Sequence, residues 1–222
     1  RINLKLRSIE GTEINGRGPD ISADAVRQLM EKLDATGSGD ILVLAGSIPS
    51  SIPDDIYKKI LDRLSGRDIH TVVDATGDLL VNVLFHHPFL VKPNNHELGE
   101  IFGVKLRTRD GIVPYAEKLR KMGARNVLVS MAGEGAVLAA ENGNVYTAPA
   151  PEGTLVNGVG AGDSMVAGFL AGWMEKQDYL HAFRMGLSAG SASAFSEYLA
   201  SRPEIEAVYR QLVFLEDAEK QE

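Results

Sequence analysis

The chain has 222 residues, 44% hydrophobic and 24% charged, with a formal net charge of −7, enough for one sizeable α/β core. Its 23 basic residues form no run or stripe, which argues against nucleic acid and anionic membrane as partners. Cysteine is absent, which excludes disulfides, thiolate catalysis and cysteine-ligated zinc and makes a reducing cytoplasm the expected compartment.

Arg1 opens directly into INLKLRS (2–8), which alternates as a strand does, and TEIN (12–15) repeats the pattern beyond a turn at Glu10 and Gly11. After GRGPD, Ser22 is a natural N-cap for ADAVRQLMEKLDA, whose apolar residues recur at helical spacing. Three continuous apolar runs follow, DILVLAG (40–46), HTVVDAT (70–76) and PFLVKPN (88–94), with helices expected at 54–65 and 77–85 between them. Helices at 95–102 and 109–122 precede a fourth run, NVLVSMAG (126–133). GAVLAA and NVYTA then read as a hairpin turning at Glu141, Asn142 and Gly143. From Ala161 to about Leu212 the pattern is helical, broken near residues 177–178 and 201–203, and the polar EDAEKQE (216–222) is expected to fray. Strands alternating with helices predict an open α/β sheet covered on both faces, with ligands gathering beyond the carboxyl ends of its strands. Polar or glycine-rich segments stand at four such ends: Gly46 and Ser47, residues 74–77, residues 92–94, and residues 130–133.

The densest chemistry lies in VNGVGAGDSMVAGFL (156–170). A P-loop needs Lys-Ser/Thr after its last glycine, and a dinucleotide fingerprint needs a small residue where Asp163 stands, so neither motif fits. What remains is a helix start whose first amides, at Gly160, Ala161, Gly162 and Asp163, point outward and attract negative charge. Asp163 would accept a proton from a hydroxyl there while a phosphoryl group lay on the amides, the demand of phosphoryl transfer to an alcohol. By itself the stretch is equally explained as an ordinary acid at a glycine-entered helix.

Other constellations have ordinary structural readings. Asn94 and Glu97, three apart on one face of a helical turn, are spaced as a capping box. Lys92, just before Pro93 at a strand end, reads by itself as a solvated charge. SMAGEG (130–135) is a turn before the hairpin or a loop lying against a nucleotide. None of the five histidines stands at ligand spacing from a carboxylate, and Trp173 reads as helix core.

The segment VGAGDSMVAGFL resembles the carboxyl-terminal signature of the PfkB/ribokinase-like sugar kinases. TEINGRGPDIS, AGSIP, VDATG, VKPNNHELGEIFG and AGSASAF follow in that family's order, so the resemblance spans nearly the whole chain. It implies a ribokinase-like three-layer αβα fold with a mostly parallel sheet and a small β lid. The implied divisions are a lid and hinge remnant at 1–18, an ATP-binding core at 19–215 and a polar tail at 216–222. The implied activity is ATP-dependent phosphoryl transfer to a hydroxyl of a phosphorylated ketohexose. Fructose 1-phosphate is the leading acceptor, tagatose 6-phosphate and fructose 6-phosphate are alternatives, and a non-catalytic nucleotide or sugar-phosphate sensor is the rival class. Asp163 would be the base and the Gly160, Ala161 and Gly162 amides the anion hole. Lys92, Asn94, Ser130, Gly133, Gly135 and Ser191 would meet ATP, Glu97 with Asn94 would place Mg²⁺, and Arg1, Asn3 and Ser47 would meet the sugar phosphate. The backbone of Asn157 and Val159 matches a monovalent cation (K⁺) site in some relatives, and a homodimer through the lid is a family assembly. Gly158 departs from the family's Ser or Thr. The resemblance also implies about 100 residues ahead of Arg1, roughly the lower range of one domain. Those residues would carry the first strands and much of the sugar site, so this chain alone is expected to have an open sheet edge and little activity.

Overall fold

The computed structural model describes residues 3–5, 13–16 and 18–219. They form two compact units, Arg1–His86 and His87–Glu222.

In the first unit, β1 (Asn3–Lys5) pairs antiparallel with β2 (Glu13–Asn15), placing Asn3 opposite Asn15. The turn expected at Glu10 and Gly11 lies outside the described residues. Helix α1 (Ala23–Leu33) starts where Ser22 accepts a hydrogen bond from the Ala25 amide, as the N-cap pattern predicts. Strand β3 (Ile41–Ala45) runs parallel to β4 (His70–Asp74), with α2 (Ile56–Arg63) between them in the chain. Val72 and Val73 of β4 are fully buried and Ile56, Ile60 and Leu61 give α2 one apolar face. The expectation that 40–46 is buried on both sides fails for β3, where Leu44 is buried but Val43 is 43% exposed. Its only described partner is β4, so one edge and part of one face stay open to solvent. The helix expected at 77–85 is two pieces, α3 (Gly77–Val81) and a 3₁₀ turn at Leu84–His86. His87 takes a left-handed φ of 53° before Pro88, which no continuous helix tolerates. Tyr57 of α2 donates to the carbonyls of Ala45 and Gly46 (2.8 and 3.0 Å) at the end of β3. Burial, then the charge of Asp74, holds its phenol above the ordinary range.

In the second unit, β5 (Leu90–Val91) is parallel to β6 (Asn126–Ser130), and β6, β7 (Ala136–Ala139) and β8 (Val145–Ala148) form an antiparallel meander. Strand β5 is shorter than the apolar run 88–94, since Pro88 and Pro93 at its margins have no N–H for a ladder. The hairpin closes at the expected place, with Gly143 at φ 87° and its amide bonded to the Ala140 carbonyl. Val127, Leu128 and Val129 of β6 and Val137 and Leu138 of β7 are fully buried. Around them run α4 (Asn95–Phe102), α5 (Arg109–Lys121), α6 (Ala161–Lys176), α7 (Tyr179–Ala194) and α8 (Arg202–Glu219). Helix α8 runs on to Glu219, into the segment expected to fray. Trp173 packs on Phe89 and Tyr179, with ring centroids 5.3 and 4.5 Å away. Among the described residues no helix is long and apolar enough to cross a membrane.

Helices α6 and α7 pack backbone to backbone, and glycines create the contact. A Cβ on Gly168 would stand 2.5 Å from the Met185 carbonyl oxygen and 2.6 Å from the Ala189 Cβ. A Cβ on Gly172 would meet Met185 and Ala182 at 2.9 and 3.0 Å. From the other helix, Gly186 faces the Met165 carbonyl and Gly190 the Ala161 carbonyl, at 2.9 and 3.1 Å from the Cβ each lacks. Two glycines four residues apart on each helix give each a flat face one turn long, so the backbones meet directly. Gly168→Ala is therefore expected to destabilise the protein by about 1–3 kcal/mol, the overpacking cost exceeding the gain of about 0.5–1 kcal/mol from removing a helical glycine. Urea unfolding tests this, with Gly37→Ala as the control, because a Cβ there meets nothing within 4 Å.

Candidate active site

The loop leading into α6 is fastened to the end of α7. The amides of Val156 and Asn157 both donate to the Ala194 carbonyl, at 2.9 and 3.0 Å. The Asn157 side chain donates to the Glu197 carbonyl and accepts from the Val159 amide, an Asx turn. Gly160 then enters the helix as its N-cap at φ 78°, ψ 0°, a conformation that favours glycine. The four free amides expected here are fewer in the structure. The left-handed turn at Gly160 brings the Ala161 N–H to the Gly158 carbonyl at 3.3 Å. Among the described residues nothing accepts from the amides of Gly160, Gly162 and Asp163. Asp163 lies exposed on the first turn of α6. At Gly158 a Cβ would meet nothing within 4 Å, so this departure from Ser or Thr leaves the turn unstrained.

Lys92, which follows β5, is not a solvated charge: it is 6% exposed. Its Nζ lies 3.3 Å from the point a Cβ on Gly162 would occupy. Two sources of positive potential, a buried ammonium and a helix start, thus stand side by side at α6, and an anion resting there meets both.

The capping reading of Asn94 and Glu97 is realised in full. Asn94 Oδ1 accepts from the His96 and Glu97 amides at 2.9 Å each, and Glu97 Oε2 accepts from the Asn94 amide at 2.8 Å. Asn94 also bridges to Ser130 in parallel register, so the polar ends of β5 and β6 meet. Beyond Ser130 a 3₁₀ turn, Ala132–Glu134, is held by Arg109, whose guanidinium donates to the Glu134 carbonyl at 2.6 Å. Ala132 has a left-handed φ of 48°, and Gly135, at φ 95°, passes so close to Ala148 and Pro149 that no Cβ fits. Among the described residues no cluster of three or more His, Cys, Asp or Glu could cage a metal. One carboxylate and one amide suit a Mg²⁺ that keeps most of its waters, and that is the donor set Glu97 and Asn94 present.

A cavity of about 1040 Å³ joins these parts. Asn94, Ser130, Gly133, Gly135, Ala161, Gly162 and Ser191 line it, with Leu155, Ala194 and Phe195 forming an apolar wall. Gly160, Asp163, Lys92 and Glu97 sit immediately beside lining residues in chain or space. Sequence reasoning missed Arg107, Asn95 and Phe195 in this lining, because their motif spacing carries no signal and only the packing of separate loops assembles them. Of the residues expected to meet the sugar phosphate, Arg1 lies outside the described residues. Asn3 is placed in β1, and Ser47 is exposed just beyond β3 in the first unit. Two of the histidines face carboxylates after all, His86 with Asp62 and His181 with Glu175, each at 3.2 Å. The first is a contact between segments distant in sequence, which spacing cannot reveal.

A family profile described as "pfkB family carbohydrate kinase" matches residues 1–205. The chain is 49% identical over 201 residues to the 1-phosphofructokinase of Bacillus subtilis, covering 90% of this chain and 66% of that protein. It is 30% identical over 213 residues to the D-tagatose-1-phosphate kinase of Bacillus licheniformis, covering 96% and 70%. Among solved structures, phosphofructokinase-2 from Escherichia coli in complex with potassium superposes with a TM-score of 0.83 at 28% identity, covering 91% of this chain and 66% of that one. The chain thus has a ribokinase-like α/β fold and spans about two thirds of the length of these relatives. The match runs through both strand ends and the Gly160 turn, and the chain belongs to the pfkB family of carbohydrate kinases.

Proposed function

We propose that the protein is an ATP-dependent sugar-phosphate kinase that transfers a phosphoryl group to a hydroxyl of fructose 1-phosphate, giving fructose 1,6-bisphosphate. The observation that carries this is the start of α6: an exposed Asp163, three amides without acceptors among the described residues and the buried Lys92 side chain lie at one helix turn. Asp163 takes the proton of the attacking hydroxyl. The Gly162 and Asp163 amides, with Lys92, bear the negative charge that develops on the moving phosphoryl group, and the Gly160–Ala161 turn holds them in place. Ser130, Gly133, Gly135 and Ser191 line the nucleotide's cavity. Glu97 and Asn94 would hold Mg²⁺ through water, and the ion when bound neutralises the triphosphate. Arg1, Asn3 and Ser47 belong to the sugar-phosphate end in this reading, and Asn157 and Val159 to a K⁺ site.

Identity favours fructose 1-phosphate, at 49% to a 1-phosphofructokinase against 30% to a D-tagatose-1-phosphate kinase. Both relatives are named for ketohexose 1-phosphates, which adds tagatose 1-phosphate to tagatose 6-phosphate and fructose 6-phosphate as alternative acceptors. The retained Asp163 speaks against a sensor, which needs no base. The antiparallel pair β1–β2 supports a small β lid, and a lid-mediated homodimer in the cytoplasm completes the proposal.

A coupled ATP-consumption assay with fructose 1-phosphate tests the reading, and Asp163→Asn is expected to lower kcat by about 10²–10⁴-fold with little change in ATP affinity. Equal rates would remove Asp163 from the role of base. Gly162→Ala places a methyl where Lys92 Nζ now approaches and displaces the ammonium. We expect turnover to fall roughly ten- to a hundredfold while Tm holds or rises, since alanine is the better helix former. A Gly162→Ala protein of full activity would show that the Lys92 position does not matter.

A further inference from the structure

The cavity beside α6 contains one cation that the proposed chemistry does not use. Arg107 lines it together with Asn95 and His96. The backbone around Arg107 is anchored on both sides. Asn95 Nδ2, from the first residue of α4, donates to the Leu106 carbonyl at 2.9 Å, and Leu106 itself is buried. The preceding turn packs on the same helix: the Val104 amide bonds to the Gly99 carbonyl at 2.9 Å, and Gly99 has no room for a Cβ against the Val104 carbonyl. On the other side, Thr108 caps α5 by accepting from the Gly111 amide, and Arg109 is committed to the Glu134 carbonyl.

Between these anchors the Arg107 side chain is exposed, and among the described residues it has no hydrogen bond and no ion pair. Glu134 and Glu152 also line the cavity, yet neither is paired with it. Arg27, Arg63, Arg125 and Arg202, by contrast, all hold carboxylates. In a chain of net charge −7, a guanidinium on a fixed backbone, facing a cavity and without a carboxylate, is arranged for an anion that arrives from outside. A guanidinium fork suits phosphate oxygens bidentately.

We infer that Arg107 is a nucleotide-phosphate contact, closing on the triphosphate from the α4 side of the cavity while Lys92 and the α6 amides hold the other side. This rests on the ATP-dependent reading of the same site. Arg107 is a binding residue, apart from the proton transfer assigned to Asp163.

Calorimetric titration of the protein with ATP, adenosine and fructose 1-phosphate tests it. Arg107→Gln should weaken ATP about tenfold, the scale of one lost charge-assisted contact. Adenosine and fructose 1-phosphate should bind as before, and Arg107→Lys should restore part of the loss. Added salt should weaken ATP more in the unsubstituted protein than in Arg107→Gln. Unchanged ATP affinity in Arg107→Gln, equal loss for adenosine, or loss confined to fructose 1-phosphate each overturns the inference while leaving the kinase reading intact. Failure of the unsubstituted protein to bind ATP overturns both.

Discussion

The direct backbone contact between α6 and α7 is the constraint on which the site depends. Gly168 and Gly172 on one helix, and Gly186 and Gly190 on the other, let the axes approach until carbonyls face Cα atoms. The contact reaches the first turn of α6, where Gly190 meets the Ala161 carbonyl. It therefore sets the position of the helix start that bears Asp163, and Ser191 follows on the same stretch of α7. Interiors are close-packed, so such a contact transmits position rather than absorbing error. The same helix also pins the entering loop, since the Ala194 carbonyl accepts from both Val156 and Asn157. One helix pair thus fixes Asp163, the amides at the start of α6 and one wall of the cavity.

Around that frame the electrostatics converge. An acid at a helix start is locally favourable, and a lysine buried next to it is not cheap to desolvate. Their juxtaposition becomes intelligible if the site must hold negative charge and take up a proton in the same place. Backbone strain falls on the same rim: Ala132 holds a left-handed φ, and Gly135 threads past β8 where no side chain fits. Unusual backbone next to a cavity is where binding loops are commonly found. Glu97 closes the capping box of α4 beside this rim, and that structural role is compatible with the hydrated cation proposed for it.

The sequence made much of the fold legible. The apolar runs, the N-cap at Ser22, the hairpin with Gly143 and the helix over residues 161–176 follow from periodicity and turn chemistry, which are local. It was less reliable where neighbours decide. The run at 40–46 has the composition of a buried strand, but an edge position leaves Val43 in solvent. The run at 88–94 shrinks to two paired residues because two prolines interrupt the ladder. At the site, Asp163, the glycine turn and the Asn94–Glu97 spacing stood out as motifs.

What no local pattern displays is which distant groups meet. The sequence by itself determined the element order, the glycine turn with its acid, and the family to which they belong, because these rest on spacing along one segment. Only the tertiary structure decided that Lys92 is buried and set against Gly162, that Ala161's amide is engaged while three others find no acceptor among the described residues, and that Arg107 faces the cavity with no carboxylate partner among those residues. Those facts arise from the packing of α4, α6 and α7 around strand ends far apart in the chain, and burial and partner choice are properties of that packing rather than of any one stretch.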